Sequence, residues 1–243
     1  RVMSIKADLH IHSKYSEHPS EWFLQRIGAA ESYSEPETIY KEAKRRSMDF
    51  VTITDHNRIE GALILKENHP DDCFLGVETT AYFPEDGCKV HLLCYDFSEK
   101  QFENIQELRK DIYELRQYLN DENIIHSVAH LNYSVNGKLK LEHIEKLLLM
   151  FGVFESINGG RSKIANNTVT DVLKGLTAEK IEELRQKYRI EPSGGFPWIK
   201  GFTGGSNDHA ALFIGRSYTE SKARTLKGFL SSIAEKKTEA EGR

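Results

Sequence analysis

The stretch Asp8-Leu9-His10-Ile11-His12-Ser13 sets two imidazoles two residues apart. Side chains alternate along a β-strand, so both rings would leave the same face and could serve one metal ion. A His-x-His pair is common by chance, and the residues downstream give this one its weight. Asp55-His56, Glu78, His130 and Asn207-Asp208-His209 each stand where an apolar, strand-like run ends, and His91 lies inside another. Histidines and carboxylates without a thiolate suit Zn²⁺, Mn²⁺ or Fe²⁺ and argue against a structural zinc finger. There are enough of them for more than one ion, with Glu78 available as a bridge. Polynuclear sites of this kind activate water and clamp a phosphoryl group.

Each residue also has a structural reading. His56 follows an aspartate and could cap a turn, Glu78 could do the same, and His91 could be a core histidine. His126, four residues before His130 in the same strand segment, sits deeper and reads as structural. His69 beside Pro70 and His143 on a helix read as surface residues. Cys94 falls on the opposite face of its strand from His91. All of these readings holding together would require too many coincidences.

A chain of 243 residues is long enough for one α/β domain with a sizeable core, taken as 1–235, with 236–243 as a charged tail. The net charge of -4 offers no general attraction to nucleic acid or an anionic membrane, so bound phosphate would need local cations. No apolar run reaches membrane-spanning length and nothing resembles a signal peptide. Cys73, Cys88 and Cys94 have no framework spacing and suggest reduced thiols in a cytoplasmic protein.

The elements that must position the ligands alternate. Strands are expected at 5–10, 49–54, 73–77, 89–95, 124–129, 152–157 and 201–206. Helices are expected at 36–46, 59–66, 99–120, 141–150, 163–174, 177–188 and 221–235, and a short one near 22–28. The alternation argues for parallel β/α units. In a barrel of such units the strand ends converge on one mouth, where the polar groups gather, so a barrel is preferred over an open sheet.

At this point the chain resembles the PHP (polymerase and histidinol phosphatase) superfamily of metal-dependent phosphoesterases. The matching pieces are Asp8-Leu9-His10-Ile11-His12-Ser13, Thr54-Asp55-His56, Gly76-Val77-Glu78, Val90-His91-Leu92-Leu93, Ala129-His130 and Gly205-Ser206-Asn207-Asp208-His209. They occur in the family's order and span nearly the whole chain. The resemblance is greatest to PHP domains found alone or fused to glycosyltransferases, through Ser20-Glu21-Trp22-Phe23-Leu24, Phe83-Pro84-Glu85-Asp86-Gly87 and Ile214-Gly215-Arg216.

The resemblance implies a distorted (β/α)₇ barrel of α/β class with two or three divalent ions. One ion would take His10, His12, bridging Glu78 and the acid of the last motif; a second, Glu78, His91 and His130. A third would take His56, His209 and either Glu17 or His18. Relatives read Ser-Asp-x-His in the last motif, so Asn207 occupies the aspartate position, and Asp208 is the neighbouring substitute. The expected activity is hydrolysis of a phosphate monoester on a small phosphorylated substrate, with Arg161 gripping the phosphate, Lys14 or Arg58 as substitutes, and Asp55 assisting proton transfer. The alternatives are a phosphodiesterase or nuclease, less favoured by the charge, and a catalytically weakened regulatory domain, suggested by Asn207. Substrate identity and oligomeric state stay open at this level.

Overall fold

The computed structural model describes residues 4–16 and 32–242. The segment 17–31 lies outside them, and with it Glu17, His18 and the short helix expected near 22–28.

Two sheets carry the site. The first is ordered β2-β1-β8-β9, with β1 at Ile5–Asp8, β2 at Phe50–Val51, β8 at Ser217–Ser221 and β9 at Glu239–Gly242. The second is ordered β3-β4-β5-β6-β7, with β3 at Gly76–Tyr82, β4 at Lys89–Tyr95, β5 at Ile125–Val128, β6 at Val153–Asn158 and β7 at Gly201–Gly205. Isolated bridges tie the two together at Ile11↔Asp208, Val51↔Cys73 and His56↔Glu78. The fold is mixed α/β, with eight helices among the described residues: α1 Pro36–Arg45, α2 Glu60–Asn68, α3 Glu99–Leu108, α4 Ile112–Asp121, α5 Leu141–Met150, α6 Lys163–Lys174, α7 Ala178–Tyr188 and α8 Leu226–Ala234.

Several expectations need correction. The strands are not all parallel: β3 and β4 form an antiparallel hairpin, and β4 is antiparallel to β5 as well. Glu78 is accordingly not at a strand end, because β3 continues to Tyr82 as one arm of that hairpin. The helix expected over 99–120 breaks in two. Asp111 accepts bonds from the Tyr113 and Glu114 backbone N–H groups and so starts α4 anew. The supposed tail is not frayed: Glu239–Gly242 pairs antiparallel with β8, from Ser217↔Gly242 to Glu220↔Glu239. Strand β8 itself is absent from the sequence reading. Its inward residues are Ser217, Thr219 and Ser221, so the period-two signal is carried by hydroxyls rather than apolar groups. Those hydroxyls have a use. Thr219 Oγ1 accepts from Gly204 N at 2.8 Å and donates to Gly204 O at 3.0 Å, joining the two sheets where no backbone ladder runs.

His143, expected on the surface, is 2% exposed. Its Nδ1 accepts from the Lys140 backbone N–H at 3.0 Å, and its ring packs against Phe83. His69 is half-buried and stacks on Tyr40. His126 makes a 2.7 Å bond to Ile124 O and faces Phe151 edge-on, a structural arrangement.

Lys200 is buried, and among the described residues no carboxylate pairs with it. Its Nζ donates to Leu148 O at 2.6 Å and Phe151 O at 2.8 Å, closing the C-terminal end of α5. Burial, reinforced by Lys236, pulls its ammonium down to about 7. The unfolded chain therefore keeps a proton between about pH 7 and the ordinary lysine value near 10.5 that the folded chain has lost. Stability should rise with pH across that window, by at most about 1.4 kcal/mol per pH unit. Urea melts of the wild type and Lys200→Met between pH 7 and 8.5 would show this slope flattened in the variant; equal slopes would refute it.

Candidate metal centre

Glu78 is the hub, 1% exposed, with five imidazole nitrogens around its carboxylate. Its Oε2 lies 3.0 Å from His10 Nε2, 3.2 Å from His12 Nε2 and 3.2 Å from His56 Nδ1. Its Oε1 lies 2.7 Å from His91 Nδ1 and 2.9 Å from His130 Nε2. The hairpin explains how His91 reaches the cluster from within an apolar strand. Because β4 runs opposite to β3, its N-terminal part lies beside the C-terminal part of β3, in the register Thr80↔His91. His10 and His12 follow β1 directly, and their rings approach to 5.1 Å. His209 stacks on His12 at 4.3 Å and 11°.

A second carboxylate stands behind the first. Glu155, 2% exposed on β6, takes His10 Nδ1 at 2.8 Å on Oε1; its Oε2 accepts from His130 N at 2.9 Å and Asn158 Nδ2 at 2.8 Å. A carboxylate on the far nitrogen of a ligand histidine fixes the tautomer and turns the near nitrogen toward the ion. Sequence reasoning passed over Glu155, although a lone acid in Val153-Phe154-Glu155-Ser156-Ile157 would be costly to bury without a partner. Asp8 was also missed. It is 1% exposed and accepts from the backbone N–H groups of His10, Ser206 and Gly215, binding the first motif to the last. Burial raises its carboxyl to about 6 against those bonds.

The electrostatics leave several ligands ready for a cation. Burial, with His209 adding to it, lowers His12 to about 3, and burial lowers His91 to about 4. Burial also disfavours the charged form of His10, but Glu78 and Glu155 outweigh it and hold this imidazole well above its ordinary value. Glu78 stays well below the usual carboxylate range because His10, His56 and His91 outweigh its burial.

The donors fit a hard or borderline divalent ion. His10, His12 and Glu78 have ligand atoms within 4.8 Å of one another, and so do His56, Glu78 and His91. His12 Nε2 is buried 3.2 Å from Oε2 yet makes no hydrogen bond. A third grouping, Asp86, Glu142 and His143, does not fit. There, His143 Nδ1 accepts a backbone N–H, so Nε2 carries the proton and has no lone pair for an ion.

The remaining candidates fall into place around the cluster. Asn207 adopts a left-handed backbone, φ 51°, and its Oδ1 lies 3.2 Å from His209 Nε2. Its Nδ2 lies 3.4 Å from Asn158 Oδ1. Asp208 points away: its carboxylate accepts from the Ala210 and Phe213 backbone N–H groups and shapes that loop. Asp55 accepts from Ser13 N at 2.6 Å and Ser13 Oγ at 2.5 Å, which makes it a positioning group for the turn after His12. Lys14 and Arg58 are paired with Glu35 and Glu60 on the surface. Arg161 lies over the Tyr133 ring, its Cζ 3.6 Å from the centroid, and forms no ion pair among the described residues.

Metal removal has a direct consequence. Ion binding stabilises the folded chain in proportion to the logarithm of free metal over Kd, and here the ligands come from both sheets. Stripping with EDTA should lower Tm by several degrees, and Zn²⁺ or Mn²⁺ should restore it. Identical melting curves would count against the centre.

Comparison with known proteins agrees with this geometry at the level of fold. No family model matches the sequence. An uncharacterized protein of Methanocaldococcus jannaschii is 44% identical over 63 residues, 26% of this chain and 35% of that protein. A two-domain protein from Bacteroides vulgatus containing a predicted PHP-like metal-dependent phosphoesterase superposes over 99% of this chain, with TM-score 0.63 and 14% identity. This chain spans 65% of that structure and about a third of the archaeal protein. PsfC from Pseudomonas syringae gives TM-score 0.57 at 14% identity, covering 99% of this chain and 92% of its own. A candidate metal-dependent phosphoesterase from Bifidobacterium adolescentis gives TM-score 0.50 at 14% identity, over 95% and 96%. In fold, the chain is similar to these PHP-like and metal-dependent phosphoesterase structures. Among the described residues no helix is long and apolar enough to cross a membrane.

Proposed function

We propose that this chain is a metal-dependent phosphoesterase that hydrolyses a phosphate monoester of a small molecule. The observation that carries the reading is Glu78, one buried carboxylate presenting each oxygen to a different set of imidazoles. That division suits two ions sharing one bridge, held by His10, His12 and Glu78 on one side and by Glu78, His91 and His130 on the other. His56 and His209 would serve a third, at the mouth of a distorted barrel formed by the two sheets. Zn²⁺, Mn²⁺ or Fe²⁺ bound there would lower the pKa of water and neutralise phosphoryl charge. Glu155 holds the proton at His10 Nδ1 and turns Nε2 inward, Asp55 fixes the His12 turn, and Arg161 takes a non-reacting phosphate oxygen.

Assay with p-nitrophenyl phosphate under Mn²⁺ and Zn²⁺, beside its bis ester, tests the reading. Turnover of the monoester in preference to the diester is expected. No turnover with metal bound would sink it, and preference for the diester would favour a nuclease-like activity, which the net charge of -4 disfavours.

Asn207 supports a second reading, a weakened or regulatory metal domain, because an amide brings no charge to the centre. Asn207→Asp should tighten metal binding about tenfold and raise turnover, since a carboxylate at this rim adds a charged donor. An inactive wild type with a fully active variant would favour the regulatory role. No change in either quantity would place residue 207 outside the ion's reach.

A further inference from the structure

We infer that Tyr133 is a positioning residue that holds Arg161 as a phosphate clamp beside the metal cluster; the inference rests on the phosphoesterase reading above. The Arg161 guanidinium lies against the Tyr133 ring at 3.6 Å, close enough for full stacking. The same ring stands edge-on to His130, at 5.3 Å and 88°, and His130 Nε2 reaches Glu78. One aromatic ring therefore separates the guanidinium from a ligand of the centre.

Both partners are held by the site's own backbone. Tyr133 N donates to His130 O at 2.8 Å, closing a tight turn after His130, whose φ of 28° is unusual for a residue with a side chain. The neighbouring Asn132 Nδ2 donates to Ala165 O at 3.2 Å, tying this turn to α6. Arg161 N donates to Asn158 O at 3.1 Å, and Asn158 Nδ2 bonds Glu155, the carboxylate behind His10. Hydrogen bonds thus tie the two loops to the cluster.

What Arg161 lacks among the described residues is a counter-charge. Its Nε is buried without a hydrogen-bond partner, and no carboxylate pairs with it among the described residues. Lys14 and Arg58, by contrast, are both neutralised by glutamates. A guanidinium with one face on an aromatic ring keeps its in-plane N–H groups for a planar pair of oxygens, the geometry of bidentate phosphate recognition. Stacking costs it none of those donors and removes much of the rotational freedom it would otherwise lose on binding.

The test uses Zn²⁺-loaded protein labelled with ¹⁵N-arginine, with inorganic phosphate as the probe. The Arg161 Nε–H signal is identified by its absence from Arg161→Lys. In Tyr133→Leu that signal should move, because the ring current is gone, and phosphate should bind about five- to tenfold more weakly, the scale of a lost cation–π contact. KM for p-nitrophenyl phosphate should rise by a similar factor with kcat within about twofold. Tyr133→Phe keeps the ring and should behave as wild type. Arg161→Lys keeps the charge without the plane, sits on a surface loop, and should weaken phosphate as Tyr133→Leu does. Wild-type phosphate affinity in Tyr133→Leu would overturn the inference. So would an Arg161 signal that phosphate leaves unmoved while esters are still hydrolysed, and the phosphoesterase reading would then stand. Absence of both ester hydrolysis and phosphate binding in the wild type would overturn the two together.

Discussion

Glu78→Gln is expected to abolish stable metal loading, lowering affinity at least about a hundredfold and turnover with it. The substitution changes no volume, so the reason is chemical. An amide carries no charge to offset one ion, still less to bridge two, and its N–H₂ would face imidazole nitrogens that now meet a carboxylate oxygen at 2.7–3.2 Å. Losing a ligand exceeds the roughly 10- to 100-fold effect of losing an outer carboxylate, so Glu155→Gln should be milder and keep some metal. The metal content of both variants after gel filtration checks this order. A Glu78→Gln protein with full metal content would show that Glu78 is not a ligand, and a Glu155→Gln effect larger than that of Glu78→Gln would make Glu155 the principal one.

Gly205→Ala is expected to be strongly destabilising. A Cβ there would lie 2.4 Å from His10 Cβ and 2.7 Å from His10 N. Both obstacles belong to a buried strand end rather than to a flexible side chain, so the backbone must move. The cost should be about 3 kcal/mol, at the upper end for overpacking, or a Tm lower by roughly 6–12 °C for a chain of this size. Because His10 is the residue displaced, metal affinity should fall too. Thermal melts with and without Zn²⁺ separate the two effects: a variant melting within a degree of wild type would show that β7 and β1 have slack there. Gly61→Ala, whose Cβ would meet Ser13 Oγ at 2.6 Å and Asp55 Oδ2 at 2.8 Å, should also be damaging, through the turn after His12.

The ligand residues were legible because their types are rare in strands and their spacing repeats a simple rule, a polar group where an apolar run stops. His10, His12, His56, His91 and His130 do meet at one carboxylate. What the sequence concealed was direction. Nothing in Lys89-Val90-His91-Leu92-Leu93 says that its strand runs against its neighbour, which is why a core histidine was also an open reading of His91. Polar groups that serve other polar groups were concealed as well. Asp8 and Glu155 touch the ligands or the ligands' backbone, and their role depends on partners 25 to 207 residues away. Strand β8 escaped because it turns hydroxyls inward, and β9 because charged Glu239 and Glu241 alternate with small residues on an exposed edge.

The way the sheets meet bears on how the protein would respond to loading. Among the described residues the first sheet adjoins the second without a continuous ladder, through the isolated bridges Ile11↔Asp208, Val51↔Cys73 and His56↔Glu78, the Thr219 hydroxyl and single bonds such as that from Asn207 N to His10 O. Two of those three bridges include a residue of the ligand motifs. Amide protons along this seam, such as those of His12, Glu78 and Asn207, are held by single bonds rather than by a ladder, so their exchange should report whether the two sides open together. An ion held by His10 and His12 on one side and Glu78 on the other would act as a rivet through that seam. Occupancy would then be written in the exchange rates of amides that touch no ligand at all.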